Sequence, residues 1–507
     1  AMQYHRVRLH LIGLLCCCLG SVASATDIPP GNVSGVWSLA GSPYVILGDI
    51  TVPAGEELSI EPGVEVVFAG NYRLTALGTM QAVGAPGDSI RVRGEVPWDR
   101  LRLENEVATS HFAYCVITGA ERGINSIDSP VTIEHCRLGL HETAVDIFAI
   151  GNPAPPPVVI TDCYIHDNQR HGILVSENDE VEISGCEITR CALDESPRGA
   201  IQISNQSSGG SSAPLISGCW IHHNVWQGIT GFDLTGAGNV SPTIVNNVIE
   251  YNLTGVYLLY STGELRDNQI RFNFVEGDPN SGAGVMLYGG SATAVVTGNT
   301  LTGNFTAFYV VEGATVNLGD LGNADPTDDG NNYMHGNVDP LGNTWSVYSN
   351  SVADIKAENN RWDSEDYEII AETIFDGHDD PTYGIVDFDP IQDNSGVTWT
   401  GPGVLDGSEL PRPRISPNPM TQAARIVMAS PGVGVAGVAR HLLEAVTILD
   451  PSGRVVRRLL DGSQEKPAAG LSWDGRSDSG RPVPSGLYFC RYRVGEQSSQ
   501  APVIVVR

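Results

Sequence analysis

Four segments of this chain share one pattern: LISGCWIHHN (215–224), TIVNNVIEYN (243–252), ELRDNQIRFN (264–273) and VVTGNTLTGN (295–304). Each has Cys or Asn at its fifth position, an apolar residue three positions before and two positions after it, and Asn five positions after it. We call the fifth-position residue the anchor. The anchor and its two apolar neighbours occur eight times, with anchors Cys115, Cys136, Cys163, Cys186, Cys219, Asn247, Asn268 and Asn299. The residue five positions after the anchor is Asn in five of the last six copies and Cys191 in the other. Consecutive anchors are 21 to 33 residues apart, which lies in the period range of solenoids.

Each repeat is too short for a crossover helix and carries short runs of Ile, Val and Thr, so it predicts a coil of short strands. One coil cannot bury its apolar row, but a stack of coils forms a continuous core. An Asn at the same corner of each coil can hydrogen-bond its neighbours and tolerates a left-handed backbone. The sequence here resembles right-handed parallel β-helix proteins, the pectate-lyase-like architecture. The predicted class is therefore all-β, a right-handed parallel β-helix solenoid followed by a small antiparallel β-sandwich.

The β-helix is predicted over residues 43–392, with caps at both ends, and residues 26–42 are interpreted as a lead-in. Residues 393–412 form a linker rich in Gly, Ser and Pro. Beyond it, Pro417-Asn418-Pro419, Trp473-Asp474-Gly475 and Gly486-Leu487-Tyr488 resemble the FlgD-like immunoglobulin fold and the C-terminal sorting domain of type IX secretion. The resemblance implies that 413–507 is an Ig-like β-sandwich that sorts or anchors the protein.

Residues 1–25 read as a signal peptide, with Arg6 and Arg8, a short apolar run from Leu9 to Leu19, and Ala23-Ser24-Ala25 as a cleavage site. We therefore expect a secreted or outer cell-surface protein with no transmembrane segment after cleavage. The resemblance of the C-terminal domain implies a partnership with secretion machinery through that domain. The chain has 29 basic and 59 acidic residues, a net charge of −30. Such a charge disfavours nucleic acid as a partner.

Five of the ten cysteines are anchors. Neighbouring anchors would stack ~4.8 Å apart with parallel side chains, whereas a disulfide needs convergent Cβ atoms ~3.8 Å apart. Buried free thiols are therefore predicted.

A β-helix hydrolase or lyase would need carboxylates aligned on adjacent rungs. The positions beside the anchors do not supply them, since Asp162 and Asp267 are four rungs apart. The remaining catalytic candidates are Asp162, His166, Asp167, Arg170 and His171. His166 and His222 occupy equivalent places two rungs apart, with Thr189 between them.

For binding, a groove of His, Asp and aromatic residues suits a sugar, because polar groups take its hydroxyls and rings stack on its face. The candidates for this role are His222, Trp226, Asp233, Tyr257 and Tyr260. Tyr257, Tyr260, Tyr288, Phe308 and Tyr309 recur after the later anchors and form either an aromatic strip or a packed ladder. Asp325, Asp328 and Asp329 are candidate metal ligands because their alternating oxygen donors suit calcium. No other cofactor is expected.

Because the fold does not decide the chemistry, three functions stay open. The first is a non-catalytic surface protein that binds polysaccharide or another cell-surface ligand. The second is a polysaccharide lyase, hydrolase or epimerase with an unrecognised site. The third is a structural spacer or adhesin stalk.

Overall fold

The computed structural model describes residues 25–394 except 105–107, 150–151, 153, 195–197, 206–209, 238, 275–281 and 340–341. Toward the C-terminus it describes 414–416, 424–427, 443–449, 454–461, 471–484, 486–494 and 497–505. The predicted signal peptide lies outside these residues, apart from Ala25, as does nearly all of the predicted linker.

Residues 26–387 form three long parallel sheets, and the chain visits them in the same order on every rung. The first sheet has 13 strands: Thr26–Ile28, Tyr44–Ile46, Glu65–Phe68, Ile90–Gly94, Cys115–Thr118, Arg137–Gly139, Tyr164–His166, Glu187–Thr189, Trp220–His222, Val248–Glu250, Gln269–Arg271, Thr300–Thr302 and Tyr333–His335. The second has 14 strands: Gly31–Asn32, Ile50–Val52, Leu74–Ala76, Trp98–Glu104, Ala120–Ile127, Thr143–Phe148, His171–Ser176, Gly199–Asn205, Gln227–Asp233, Thr254–Leu259, Ala283–Tyr288, Thr306–Val311, Val347–Ser349 and Ile374–Phe375. The third also has 14: Gly35–Trp37, Glu57–Ile60, Thr79–Val83, Ser110–Ala113, Val131–Glu134, Val158–Thr161, Val181–Ser184, Leu215–Ser217, Thr243–Val245, Thr262–Arg266, Thr293–Thr297, Thr315–Gly319, Ile355–Ala357 and Val386–Asp387.

The apolar residues that flank the anchors form the core between the sheets. Ile216 and Ile221, before and after Cys219, are both fully buried, and their equivalents on neighbouring rungs are buried too. Burial of an Ile side chain stabilises the fold by roughly 1.5–3 kcal/mol. The repeat pattern in the sequence is thus the pattern of the core.

Two ladders of asparagine close the corners on either side of the first sheet. At the anchor corner, Nδ2 and the backbone N–H of Asn247 both donate to Oδ1 of Asn268, at 3.0 and 2.9 Å. Nδ2 of Asn247 also donates to the carbonyl of Ile216 at 2.9 Å. The second ladder follows the same scheme, with Asn252 donating to Asn273 at 3.1 Å. The predicted role of the corner asparagines is confirmed.

The anchors change from Cys to Asn at Cys219, whose backbone N–H donates to Asn247 at 2.9 Å. All seven cysteines within the described residues are free and buried, which confirms the prediction of buried thiols. Burial also raises the pKa of Cys191 to about 11.

The ends of the β-helix differ in part from the prediction. Residues 26–42, interpreted as a lead-in, instead form the first rung, since Thr26–Ile28 pairs with Tyr44–Ile46. The β-helix therefore begins before residue 43. At the other end, a short helix at Tyr367–Ala371 precedes the last strands of the second and third sheets, Ile374–Phe375 and Val386–Asp387.

The C-terminal part contains two small antiparallel sheets. One comprises Arg414–Ser416, Ala424–Val427 and Leu471–Trp473, and the other Leu443–Leu449, Val455–Asp461, Gly486–Val494 and Gln497–Val505. Trp473 is fully buried and lies edge-on to Tyr488 at 5.4 Å between centroids. No helix among the described residues is long and apolar enough to span a membrane.

Candidate functional site

His166 lies on the outer face of the first sheet between two charged neighbours. Its Nδ1 is 2.7 Å from Oδ2 of Asp167, and Nε of Arg137 donates to its Nε2 at 2.9 Å. Arg190 donates to both oxygens of Asp167, at 2.6 and 2.9 Å. Burial lowers the pKa of His166 although Asp167 opposes the shift. Because both ring nitrogens are engaged, His166 is poorly arranged to take a proton from a substrate.

His222 lies two rungs from His166, as predicted, and Thr189 lies on the rung between them. Its Nδ1 is 2.7 Å from Nδ1 of His223, and its Nε2 is 3.3 Å from Oε1 of Glu187. Trp220 stacks on the His222 ring at 3.9 Å between centroids. This face of the first sheet is therefore a network of paired side chains that sequence reasoning found only in part.

The other catalytic candidates do not join this network. Asp162 lies at the opposite edge of the first sheet, at the anchor corner, 3.9 Å from Nδ1 of His135. Arg170 pairs with Glu142 at 2.7 Å. His171 is buried with its Nδ1 3.0 Å from the carbonyl oxygen of Gly199, and burial lowers its pKa to about 4. The structure thus brings together only His166 and Asp167 of the five.

Two binding candidates have structural contacts. Trp226 donates its Nε1–H to the carbonyl of Asp194 at 3.0 Å. Asp233 is fully buried and braces the loop after its strand, accepting from Asn205 at 2.8 Å and from the backbone N–H of Asn239 at 2.8 Å. Burial alone would raise the pKa of Asp233, but hydrogen bonds from Thr235, Asn205 and Asn239 lower it to about 2.

A continuous column of side chains runs along the outer face of the second sheet. Strand residues alternate between faces, and Val256 and Leu258 lie fully buried in the core, so Tyr257 between them faces outward. Residues paired in register define what we call the second-sheet column: Arg102, Asn125, Asp146, Leu174, Gln202, Thr230, Tyr257, Met286, Tyr309, Tyr348 and Phe375.

The C-terminal half of the second-sheet column, from Tyr257 to Phe375, is aromatic except at Met286. Tyr309 stacks on Tyr348 at 5.2 Å, and Tyr348 on Phe375 at 4.6 Å. All of these rings are half-buried. Burial raises the pKa of Tyr257 to about 12, so its hydroxyl stays neutral.

The aromatic residues for which the sequence left a strip or a packed ladder open are divided between the outer face and the core. Tyr257 and Tyr309 face outward in the column, and Tyr260 lies at a corner, edge-on to Tyr288 at 6.0 Å. Phe308 is different, because it faces the core and is fully buried. His222 and Tyr257 lie on different sheets, so the candidate binding residues do not form one groove.

The N-terminal half of the column contains Asp146, which the anchor-based search missed because it lies on the second sheet. Its side chain is 1 % exposed. Oδ2 accepts hydrogen bonds from Arg122 and, at 3.3 Å, from Asn125. Oδ1 has no partner among the described residues. Burial raises the pKa of Asp146, opposed by Arg122, Arg100 and Arg170.

The acidic loop does not bring its three candidate metal ligands together. Asp325 accepts from Thr327 at 2.7 Å, and Oδ2 of Asp328 accepts from Asn317 and Asn323 at 2.7 and 2.9 Å. Asp329 instead lines a separate cavity. Within the described part of the chain, no three His, Cys, Asp or Glu side chains are placed to hold a metal ion.

Comparisons with known proteins agree with this architecture. Residues 104–275 and 158–320 match the family described as right handed beta helix region, and residues 436–492 match the FlgD Ig-like domain. The chain is a right-handed parallel β-helix protein that carries a FlgD Ig-like domain toward its C-terminus.

Individual relatives are distant. Protein bark beetle of Drosophila melanogaster is 30% identical over 116 residues, which span 22% of this chain and 3% of that protein. The Dettilon tailspike protein shares 11% identity over 94% of this chain and 73% of its own, with a TM-score of 0.33. The mannuronan C-5 epimerase AlgE4 A-module of Azotobacter vinelandii shares 12% identity over 57% of this chain and 89% of its own, with a TM-score of 0.28. Scores this low carry no argument about function.

Proposed function

We propose that this protein binds polysaccharide along the aromatic half of the second-sheet column and does not cleave it. The observation that carries the proposal is the run Tyr257, Met286, Tyr309, Tyr348 and Phe375 on five consecutive rungs of one outer face. Successive rungs are ~4.8 Å apart. The column therefore offers an extended chain a repeated series of contacts.

The chemistry of the column suits sugars. The flat face of a sugar ring is apolar and packs on aromatic rings, while the tyrosine hydroxyls donate and accept hydrogen bonds. The column from Leu174 to Phe375 contains no charged side chain. This favours an uncharged polysaccharide, since the protein's net charge of −30 repels acidic ones at long range.

Affinity gel electrophoresis of the full chain in neutral and acidic polysaccharides tests this proposal. We expect retardation by at least one neutral polysaccharide, with no release of new reducing or unsaturated ends. The double variant Tyr309→Ala/Tyr348→Ala should bind about 10- to 100-fold more weakly, since 1.4 kcal/mol corresponds to a factor of ten. Tyr333→Ala removes a ring from the first sheet and is the matched control. Equal loss in both variants, or no retardation of the parent, would contradict the proposal.

Cleavage is a second candidate because of one observation, the buried Asp146 in the same column. Burial that raises the pKa of a carboxyl is one way in which enzymes create a general acid. If the protein is an enzyme, Asp146→Asn should abolish product release while binding at Tyr309 and Tyr348 persists.

We also propose that the protein acts outside the cell, anchored through its C-terminal domain. The sequence of residues 1–25 and the FlgD Ig-like domain support this. Detection of the mature chain in the medium or on intact cells, and its loss on deletion of 413–507, would test it.

A further inference from the structure

A cavity lies at the corner between the third and first sheets, away from the second-sheet column. It is created by the residues that precede the corner asparagines on four successive rungs: Asp267, Gly298, Asn331 and Asn359. Asn332 and Asn360 continue the ladder of the anchors Asn268 and Asn299. Their φ angles are 56, 69, 65 and 59°. A Cβ at Gly298 would contact Oδ1 of Asp267. Gly298 therefore leaves a notch between the side chains of Asp267 and Asn331.

A loop and the end of the β-helix wall this notch. Thr327 and Asp329 approach from the loop, and Asn359 and Gln392 from the C-terminal end. Its volume is about 350 Å³, at the small end of the range for ligand cavities, and it is more open than enclosed. It has room for a single sugar unit.

The lining carries the carboxylates of Asp267 and Asp329, neither of which forms an ion pair among the described residues. Arg266 also lines the cavity, but its guanidinium is paired with Glu264 at 2.9 Å. Thr327 donates its hydroxyl hydrogen to Asp325 at 2.7 Å, which leaves its lone pairs available.

Gln392 adds a further acceptor. Its Nε2 donates to Oδ1 of Asn359 at 2.9 Å, and its Oε1 is buried with no donor in the described part of the chain. A donor that reached this oxygen would remove the cost of an unsatisfied buried acceptor.

We propose that this cavity binds a small hydroxyl-rich ligand with an ammonium group, namely an amino sugar. An ammonium supplies three donors and a positive charge, which complements the carboxylates of Asp267 and Asp329. Sugar hydroxyls complete the contacts with Thr297, Thr327 and the amide side chains. The site is independent of the proposed polysaccharide surface, because it lies on another corner and shares no residue with the second-sheet column.

Isothermal titration of the full chain with glucosamine and N-acetylglucosamine tests the proposal at about pH 6, where a free amine is protonated. We expect glucosamine to bind and N-acetylglucosamine, which lacks the ammonium, to bind at least tenfold more weakly. Asp329→Asn should weaken glucosamine binding at least tenfold. Tyr309→Ala/Tyr348→Ala should leave glucosamine binding unchanged. A failure of this proposal can therefore be distinguished from a failure of the proposed polysaccharide surface.

Gly298→Ala should also abolish binding by filling the notch. Its matched control is Gly218→Ala, at the same corner position with φ of 61°, where the nearest atom to a new Cβ is the backbone N of Gly185 at 3.9 Å. Both variants place Ala in a left-handed conformation, so a strain effect would be common to them. Equal affinity for the two sugars or no affinity for glucosamine would overturn the proposal. So would calcium binding that Gly298→Ala removes, because that would make the cavity a cation site.

Discussion

The rings of Tyr309 and Tyr348 stack on neighbouring rungs of the second sheet with centroids 5.2 Å apart and planes 28° apart. Neither ring belongs to the core, which the alternate residues Phe308, Val310 and Val347 fill on the other side of the sheet. The stack is therefore a property of the outer surface. It is maintained because parallel strands in register place equivalent side chains one rung apart.

Tyr251→Gly should retain or raise stability although it removes a large side chain. Tyr251 has φ of 54°, and the equivalent position two rungs later is Gly303. A bulky residue in this region costs on the order of 1–3 kcal/mol, whereas the lost stacking on His223 and Phe272 is worth about 0.5–1.5 kcal/mol per pair. Urea unfolding measures the balance. Tyr309→Gly, in an extended strand, is the control and should destabilise the protein.

Asn268→Ala should destabilise the β-helix by about 2–4 kcal/mol. The change leaves the carbonyl of Ile244 and the backbone N–H of Asn247 without their partners, which now lie at 2.8 and 2.9 Å. Each buried group left unsatisfied costs roughly 1–3 kcal/mol. Asn71→Ala, at an exposed position, should have an effect below about 0.5 kcal/mol. Similar melting temperatures for the two variants would contradict the ladder's structural role.

Stability should fall as the pH falls from about 6.5 to about 4. His141 takes the place of Asn in the second ladder, where its Nδ1 accepts from the N–H of Ala120 at 3.1 Å and its Nε2 is 2.9 Å from the carbonyl of Ile117. Burial lowers its pKa from 6.5 to about 4. The unfolded chain binds a proton through this window and the folded protein does not, so acid favours unfolding by up to about 3 kcal/mol for this group.

His171 and His335 act in the same direction, because burial lowers the pKa of each to about 4. Denaturant unfolding at several pH values measures the combined dependence of the unfolding free energy on pH, as a slope. His141→Asn, which restores the ladder residue of the later rungs, should reduce that slope by up to one proton. An unchanged slope would show that His141 is protonated in the folded state.

The described thiols should resist alkylation until the protein unfolds. Hydrogen bonds between neighbouring thiols, together with burial, raise the pKa of Cys136, Cys163 and Cys186, and thiolates are the reactive form. Mass mapping after iodoacetamide treatment should find these cysteines unmodified in native protein and modified in guanidinium chloride. Modification of any cysteine anchor in the native protein would contradict the burial of these thiols.

The sequence predicted the fold well because core and corner positions repeat with fixed offsets from the anchors. Ile216, Cys219, Ile221 and Asn224 could each be assigned a place in the rung from the repeat alone. The start of the β-helix was predicted too late, since the first rung, from Thr26, has no anchor.

The functional face was harder to predict because insertions between repeats change the offset from an anchor to the second sheet. Tyr257 and Asp146 each lie ten residues after their anchors, whereas Gln202 lies 16 residues after Cys186 and Met286 lies 18 residues after Asn268. Tyr348 belongs to a rung with no predicted anchor. Only strand pairing shows that these residues share one column. Side-chain pairing such as that of His166 with Arg137 is likewise absent from the sequence pattern.

The most direct test of the proposed polysaccharide surface is oxidative footprinting of the full chain with and without a polysaccharide that retards it. We expect reduced oxidation of Tyr257, Tyr309 and Tyr348 in the presence of the ligand and unchanged oxidation of Tyr164 and Tyr333 on the first sheet. Protection confined to the first sheet, or equal oxidation of the second-sheet tyrosines with and without bound polysaccharide, would contradict it.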